Sequence, residues 1–186
     1  MASPVHESII SSITQGFHNV NAGLPEPIGM RIATATNLRR TLFEGEYEGS
    51  SKTPDLAVDF ADADGNLDPK FILEVGFSET YEQLVEEASL WLEGAPQVSV
   101  VLLIKFEESP PYRSPIHKLT DQELVEIQFP RSVRTERGRF ISHGAYGPIS
   151  YNGLQWVGGF STVFAEVWRL DSTSGHAAQT GDRVVG

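Results

Sequence analysis

The amino-acid sequence predicts an α/β (α+β) fold in which a central mixed sheet is flanked by helices. Apolar residues recur at helical spacing over residues 5–20, which indicates an amphipathic helix at the start of the chain. Two short apolar segments at 56–60 and 71–75 flank a turn rich in Asp and Gly, the pattern of adjacent strands. An amphipathic segment at 80–92 and an almost wholly apolar segment at 98–106 follow, as expected of a helix and a central strand.

The first helix is predicted to end near Gly23 and Pro25, because neither residue continues a helix well. Threonines are frequent in residues 28–47, and β-branched residues favour extended structure, so one or two strands are expected there. The helix at 80–92 has Ser78 as a candidate N-cap and is predicted to end before Pro96.

The last third of the chain is predicted to add smaller elements to this core. A strand is expected at 124–129, and residues 139–142 and 149–151 are expected to form a hairpin. Apolar residues between 163 and 170 lie at helical spacing, which indicates a short final helix. Residues 171–186 lack apolar periodicity and are predicted to be a disordered tail.

Length and composition indicate one domain, over residues 1–170, that can bury a core of its own. No apolar segment approaches the roughly 20 residues of a membrane span, and the first residues lack the features of a signal peptide. The sequence therefore predicts an intracellular protein, cytoplasmic or nuclear. Because the 186 residues include no cysteine, any metal ion must be held by oxygen or imidazole ligands.

Charge is unevenly distributed along the chain, whose net charge is −11. More than half of the acidic residues lie between positions 44 and 93, and the net charge opposes long-range attraction to nucleic acid. A later basic cluster provides candidate contacts to a phosphate backbone and consists of Arg131, Arg134, Arg137 and Arg139. The alternative is that these arginines belong to an ordinary solvated surface.

Two acidic residues lie inside the predicted strand region, Asp55 after Pro54 and Glu74 between Leu73 and Val75. A carboxylate among apolar neighbours is costly to bury unless it has a partner. A turn between the two strands could bring the acids together, and with the Val75 carbonyl they would suit Mg²⁺ or Mn²⁺. The alternative for either acid alone is structural: Asp55 caps a strand and Glu74 faces solvent at a sheet edge.

The same acids carry a resemblance to a known family. Pro54-Asp55 and Glu74, followed by a helix and an apolar strand, resemble the motif of the PD-(D/E)XK (restriction-endonuclease-like) nuclease superfamily. The run from Glu74 to Glu79 is similar, more narrowly, to a group of uncharacterised fungal proteins with this core. The resemblance covers roughly residues 50–108 and implies a restriction-endonuclease-like domain that uses a divalent ion to hydrolyse phosphodiesters.

The chain departs from that motif at one position, because Gly76 stands where the superfamily has a lysine. In the superfamily this lysine orients the attacking water and offsets developing negative charge. Lys105, at the end of the apolar strand, is the preferred substitute, and Lys52 is a second candidate. The alternative for Lys105 is a strand end that reaches water.

The helix at 80–92 contributes two further candidates. At about 100° per residue, Glu87 lies on the flank of the apolar face near Trp91, so it is a candidate third acid of the site. Gln83 lies on the same side and could hold a water or a phosphate oxygen. The alternative for both is a boundary position that reaches solvent.

Two functions remain open from sequence alone. The first is a metal-dependent nuclease in which Asp55, Glu74, Lys105, Glu87 and Gln83 form the site. The second is a catalytically inactive domain of the same fold that binds a protein or a nucleic acid, which the glycine at position 76 and the net charge of −11 favour.

Overall fold

A computed structural model describes residues 4–25, 32–41, 43–61, 64–109, 117, 119–126, 140–144, 147–151 and 153–186. The helices and strands are α1 Pro4–Ala22, β1 Ile32–Ala35, β2 Leu56–Ala61, β3 Leu67–Gly76, α2 Tyr81–Gly94, β4 Val100–Glu108, α3 Asp121–Glu126, β5 Phe140–Ser142, β6 Ile149–Tyr151, β7 Leu154–Val157, β8 Phe160–Leu170 and β9 Ala177–Val185.

The protein is an α+β protein built on a mixed sheet of six strands, in the order β1-β2-β3-β4-β8-β9. Neighbouring strands are antiparallel at β1–β2, β2–β3 and β8–β9, whereas β3 and β4 are parallel. Helix α2 is the crossover between the two parallel strands, as a parallel connection requires. The prediction of a central mixed sheet is confirmed.

The chain divides into two compact units, and the single domain expected over residues 1–170 stays a prediction. The first unit comprises Met1–Lys105 and Phe164–Val185, and the second comprises Phe106–Val163 with Gly186. The second unit contains α3 and a separate antiparallel sheet of three strands, β5-β6-β7.

The core of the first unit lies between α2 and one face of the large sheet. Helix α2 presents four buried residues to the sheet, and these are the four that its spacing predicts: Leu84, Ala88, Trp91 and Leu92. They pack against strand residues that include Ala57, Ile72 and Leu103. Each large side chain buried in this way stabilises the fold by roughly 1.5–3 kcal/mol.

The N-cap of α2 lies two residues after Ser78, the cap predicted from sequence. Thr80 is the N-cap, and its side chain accepts a hydrogen bond from the Gln83 backbone N–H. The Gln83 side chain in turn accepts from the Thr80 backbone N–H at 2.8 Å. This reciprocal capping box satisfies two donors that the first helical turn otherwise leaves open.

Most local predictions in the first unit are confirmed. Helix α1 ends at Ala22, and β2, β3 and β4 lie where the apolar segments predict them. Among the described residues of the range 28–47, one strand, β1, is present, and it pairs with β2. The hairpin predicted at 139–142 and 149–151 is confirmed over residues 140–142 and 149–151, which form β5 and β6 in the second unit, while residue 139 lies outside the described residues.

The strand predicted at 124–129 is wrong over residues 124–126, which belong to helix α3. The cause is a second capping motif just upstream: Thr120 N–H and its hydroxyl both donate to the Glu123 carboxylate at 2.8 Å. A cap of this kind satisfies donors of the first helical turn and so favours a helix start. Residues 127–129 lie outside the described residues.

The helix predicted over 163–170 is wrong, because these residues form β8. Burial alternates along the strand, with Phe164, Glu166 and Trp168 inside. Aromatic and β-branched residues fit a half-buried strand better than a helix, and the helical spacing of the apolar positions was coincidental.

The disordered tail predicted for 171–186 is contradicted by β9, which pairs with β8 from Leu170↔Ala177 to Phe164↔Val185. The turn into β9 is shaped by Asp171, whose carboxylate accepts hydrogen bonds from the backbone N–H of Thr173 and Ser174. The polar character of β9 follows from its position at the edge of the sheet, where side chains reach solvent.

In the part of the chain that the structure describes, no helix is both long enough and apolar enough to cross a membrane.

Candidate functional site

A cleft of about 180 Å³ in the first unit gathers most of the acidic residues singled out by the sequence. We call it the acidic cleft, and it is lined by His6, Lys52, Thr53, Asp55, Glu74, Val75, Glu79, Leu84 and Glu87.

Asp55 and Glu74 meet because of the register of the β2–β3 hairpin. Leu56 pairs with Leu73, so the residue before Leu56 lies beside the residues after Leu73. The Asp55 Oδ2 atom accepts a hydrogen bond from the Val75 backbone N–H at 2.8 Å. The two acids, 19 positions apart in sequence, are therefore held in one cleft by backbone pairing.

Val75 presents its backbone to the same side. In a strand, the N–H and C=O of one residue point to the same edge, and the Val75 N–H points to Asp55. The Val75 carbonyl therefore also lies on the Asp55 side of β3, where the sequence predicted a ligand.

Glu74 is buried, with 4% of its surface exposed, and faces α2. Its Oε1 atom accepts a hydrogen bond from the indole N–H of Trp91 at 2.7 Å. Burial raises the pKa of Glu74 to about 8, and the nearby Glu87 and Asp55 add to the rise while Lys52 and the Trp91 hydrogen bond oppose it. At neutral pH the carboxyl group therefore holds a proton in the ion-free protein.

Lys52 supplies the cation of the acidic cleft. Its ammonium contacts the Glu87 carboxylate. Burial lowers the pKa of Lys52, but the charges of Glu74 and Glu87 and the hydrogen bond to Glu87 outweigh burial, so the net shift is upward. Lys52 therefore stays charged at neutral pH.

Lys105 is buried one strand away and does not line the acidic cleft. It pairs across the parallel β3–β4 ladder with Gly76, and its ammonium donates to the Phe77 carbonyl at 3.0 Å. Of the two lysines considered from sequence, the structure brings the second candidate, Lys52, to the acids.

The packing of α2 leaves little room for a side chain at position 76. A Cβ atom on Gly76 would lie 2.5 Å from Leu84 Cδ1 and 3.0 Å from Leu84 Cγ. Leu84 is itself buried in the core, so a side chain at position 76 would require Leu84 to change its conformation or α2 to shift. Gly76 therefore fits the close contact between α2 and β3.

Of the two helix candidates, Glu87 lies in the cleft and Gln83 does not. Glu87 pairs with Lys52. Gln83 is exposed, and its side-chain oxygen is engaged by the Thr80 backbone N–H in the cap of α2. Its position one turn before Glu87 places it at the helix end.

Two ionisable residues of the cleft, His6 and Glu79, were not predicted from sequence. His6 Nε2 lies 3.0 Å from Asp55 Oδ1, so both carboxylate oxygens of Asp55 have polar contacts. His6 lies near the start of α1 and reaches Asp55 only through the tertiary fold. Glu79 follows β3 closely in sequence, and its position in the Glu74–Glu79 run was the one available signal.

The donor set fits a hard divalent cation, because Asp55, Glu74, Glu87 and the Val75 carbonyl all offer oxygen. Among the described residues, no three His, Asp or Glu side chains already form a group that could hold a metal ion. The cluster Arg131, Arg134, Arg137 and Arg139 lies outside the described residues.

Comparison with protein-family models, with curated proteins and with solved structures found no match for this chain.

Proposed function

We propose that the acidic cleft of the first unit is a metal-dependent nuclease site on a restriction-endonuclease-like core, and that this site hydrolyses nucleic-acid phosphodiesters. The observation that carries this proposal is the convergence of two acids and a cation, Asp55, Glu74 and Lys52, in one cleft. The order of β2, β3, α2 and β4 in the chain is the order that the resemblance implies, which supports the same proposal.

Each residue has a role that follows from its contacts. Asp55, Glu74 and the Val75 carbonyl would hold Mg²⁺ or Mn²⁺. Such an ion supplies polarisation of a phosphoryl oxygen and a lower pKa of bound water. Glu74 must give up its proton before it can act as a ligand, so ion binding and protonation compete at this carboxyl group.

Lys52 takes the role that the superfamily gives to the lysine missing at position 76. Its ammonium orients the attacking water and stabilises the negative charge that develops on the phosphoryl oxygens. Glu87 fixes the ammonium by direct contact, and Trp91 fixes the orientation of the Glu74 carboxyl group.

Substrate binding requires a basic surface, because the chain as a whole carries a net charge of −11. Arg131, Arg134, Arg137 and Arg139 are the residues proposed to contact the phosphate backbone. Their contribution predicts cleavage that weakens as salt concentration rises, since phosphate contacts release counterions.

The proposal is tested by incubating the protein with single- and double-stranded DNA and RNA in Mg²⁺ or Mn²⁺. We expect cleavage of at least one substrate, and a loss of at least about a hundredfold in rate for Asp55→Asn and for Glu74→Gln. Glu86→Gln, an exposed change on α2, is the matched control and should retain the parent rate. Absence of cleavage, or equal cleavage by all variants, overturns the proposal.

A catalytically inactive interaction domain is the second candidate function. Lys52–Glu87 and His6–Asp55 are polar contacts that satisfy the acids of the cleft without an ion, and this observation favours a structural role. Titration calorimetry with Mn²⁺ separates the two candidates. Heat of binding that disappears in Asp55→Asn excludes the inactive domain with a purely structural cleft, whereas no heat in the parent excludes the metal-dependent enzyme.

A further inference from the structure

Lys52 lies outside strands β1–β9, yet its side chain lines the acidic cleft. Its backbone is held by an isolated antiparallel bridge to Arg40. The Arg40 N–H donates to the Lys52 carbonyl at 2.7 Å, and the Lys52 N–H donates to the Arg40 carbonyl at 3.0 Å. The position of Lys52 therefore depends on the position of Arg40.

Arg40 is in turn anchored to β2 through its side chain. Its Nη2 atom donates to both carboxylate oxygens of Asp59, at 2.8 and 2.7 Å. Asp59 is 2% exposed and belongs to β2, which is paired on both sides, to β1 and to β3. A charge-assisted pair with little solvent around it fixes a side chain more firmly than an exposed pair does.

We propose that the Arg40–Asp59 ion pair is a positioning device for Lys52. Asp59 fixes the Arg40 guanidinium, the Arg40 backbone fixes the Lys52 backbone, and the Lys52 ammonium then reaches Glu87. Arg40 and Asp59 do not line the acidic cleft, so they act through Lys52. The catalytic consequence rests on the proposed function, but the positioning itself does not.

The contact between Lys52 and Glu87 can be measured directly by zero-length crosslinking. A water-soluble carbodiimide activates the Glu87 carboxylate, the Lys52 amine displaces the urea leaving group, and an amide bond joins the two side chains. Peptide mass spectrometry quantifies the product. Glu87→Gln removes the reacting carboxylate and reports the background of the assay.

The informative variant is Asp59→Asn, which removes the charge and keeps the shape of the side chain. We expect the yield of the Lys52–Glu87 crosslink to fall at least about fivefold, because Arg40 loses its charged anchor. The matched control is Glu166→Gln, which neutralises another buried carboxylate that pairs with an arginine, Arg183, away from the cleft. The control should keep the parent yield.

A second variant covers the case in which Asp59→Asn does not fold. Arg40→Met/Asp59→Leu replaces the ion pair with apolar side chains, a change that buried pairs often tolerate. The proposal predicts the same loss of crosslink in this double variant, with folding verified by circular dichroism. A parent-level yield in whichever of the two variants folds overturns the proposal.

Cleavage kinetics distinguish a positioning role from a purely structural one, because a purely structural pair would not affect kcat through Lys52. We expect Asp59→Asn to lower kcat about tenfold with little change in KM, and to have no further effect when Lys52→Met is already present. If Asp59→Asn and Lys52→Met lower kcat additively, Asp59 does not act through Lys52. If the parent cleaves nothing, the proposed function fails while the crosslinking result still decides the positioning role.

Discussion

At the scale of single residues, the proton on Glu74 couples stability to pH. Burial raises its pKa in the folded protein to about 8, from an ordinary value of 4.5. The folded state therefore binds this proton more tightly than the unfolded chain, so the free energy of unfolding falls as the pH rises from 4.5 to about 8. The loss amounts to as much as about 5 kcal/mol.

This coupling predicts a specific difference between two proteins. Glu74→Gln keeps an acceptor for the Trp91 indole but cannot ionise. Its free energy of unfolding should therefore fall less between pH 5 and pH 8 than that of the parent. Urea unfolding at pH 5, 6, 7 and 8 measures the difference, and Glu86→Gln serves as an exposed control that should follow the parent. Parallel curves for Glu74→Gln and the parent would refute the assigned proton.

The acids of the cleft could be predicted from sequence, whereas the cation could not. Asp55 and Glu74 stand out because carboxylates are rare inside apolar strands, and Glu87 because helical spacing places it beside Trp91. Lys52 and His6 reach the cleft through contacts between distant segments, the bridge to Arg40 and the start of α1. Sequence spacing carries no signal for such contacts.

At the scale of elements, the contact between α2 and β3 makes Gly76 sensitive to substitution. A Cβ atom there meets Leu84 at 2.5 Å, so Gly76→Ala should destabilise the protein by about 1–3 kcal/mol. Gly16→Ala on α1 is the control, because nothing lies within 4 Å of the added atom and alanine favours a helix by up to about 1 kcal/mol.

Chemical denaturation of the two variants measures both effects: we expect Gly76→Ala to be less stable than the parent and Gly16→Ala to be as stable or more stable. The stability cost of Gly76→Ala should be smaller in a Leu84→Ala background than in the parent, because the side chain that the new Cβ atom meets is then absent. Equal stability of Gly76→Ala and the parent would mean that α2 does not pack tightly against β3.

The cap of α2 predicts that Gln83 supports the helix and leaves ion binding unaffected. Gln83→Ala removes one partner of the capping box, which should cost about 0.5–1 kcal/mol of stability. Mn²⁺ affinity measured by calorimetry should stay within error of the parent. A large loss of affinity in Gln83→Ala, comparable to that of Asp55→Asn, would restore Gln83 to the site.

Elements with strong local signals could be predicted, and those decided by tertiary pairing could not. The amphipathic α2 and the apolar β4 follow directly from residue spacing. Strand β8 has apolar positions that fit a helix equally well, and its partner β9 is polar because it lies at an edge. Only their mutual pairing selects extended structure for both.

At the scale of the whole molecule, the last strand is part of the first unit. The Arg183 Nε atom on β9 donates to Glu166 at 2.7 Å, and Glu166 also accepts from the Tyr81 hydroxyl and the Trp168 indole. The Arg183 guanidinium lies over the Phe164 ring at 3.8 Å. The chain end thereby contacts both α2 and β8.

Removal of this contact should weaken the fold. Arg183→Met leaves a buried carboxylate without its cation, and we expect a cost of about 2 kcal/mol, less than for a fully buried pair. The expected cost is lower because the Arg183 side chain is 41% exposed, so solvent screens its charge. Thermal unfolding of this variant beside Arg169→Met, an exposed arginine on β8, measures the effect, and equal stability of the two would argue against the contact.

The proposed function assigns the catalytic cation to Lys52 and not to Lys105, and single-turnover cleavage by Lys52→Met and Lys105→Met distinguishes the two lysines. We predict that Lys52→Met loses at least about a hundredfold in rate, while Lys105→Met, folded by circular dichroism, cleaves within about threefold of the parent. The reverse order, or a parent protein that cleaves no nucleic acid with Mg²⁺ or Mn²⁺, would contradict the account.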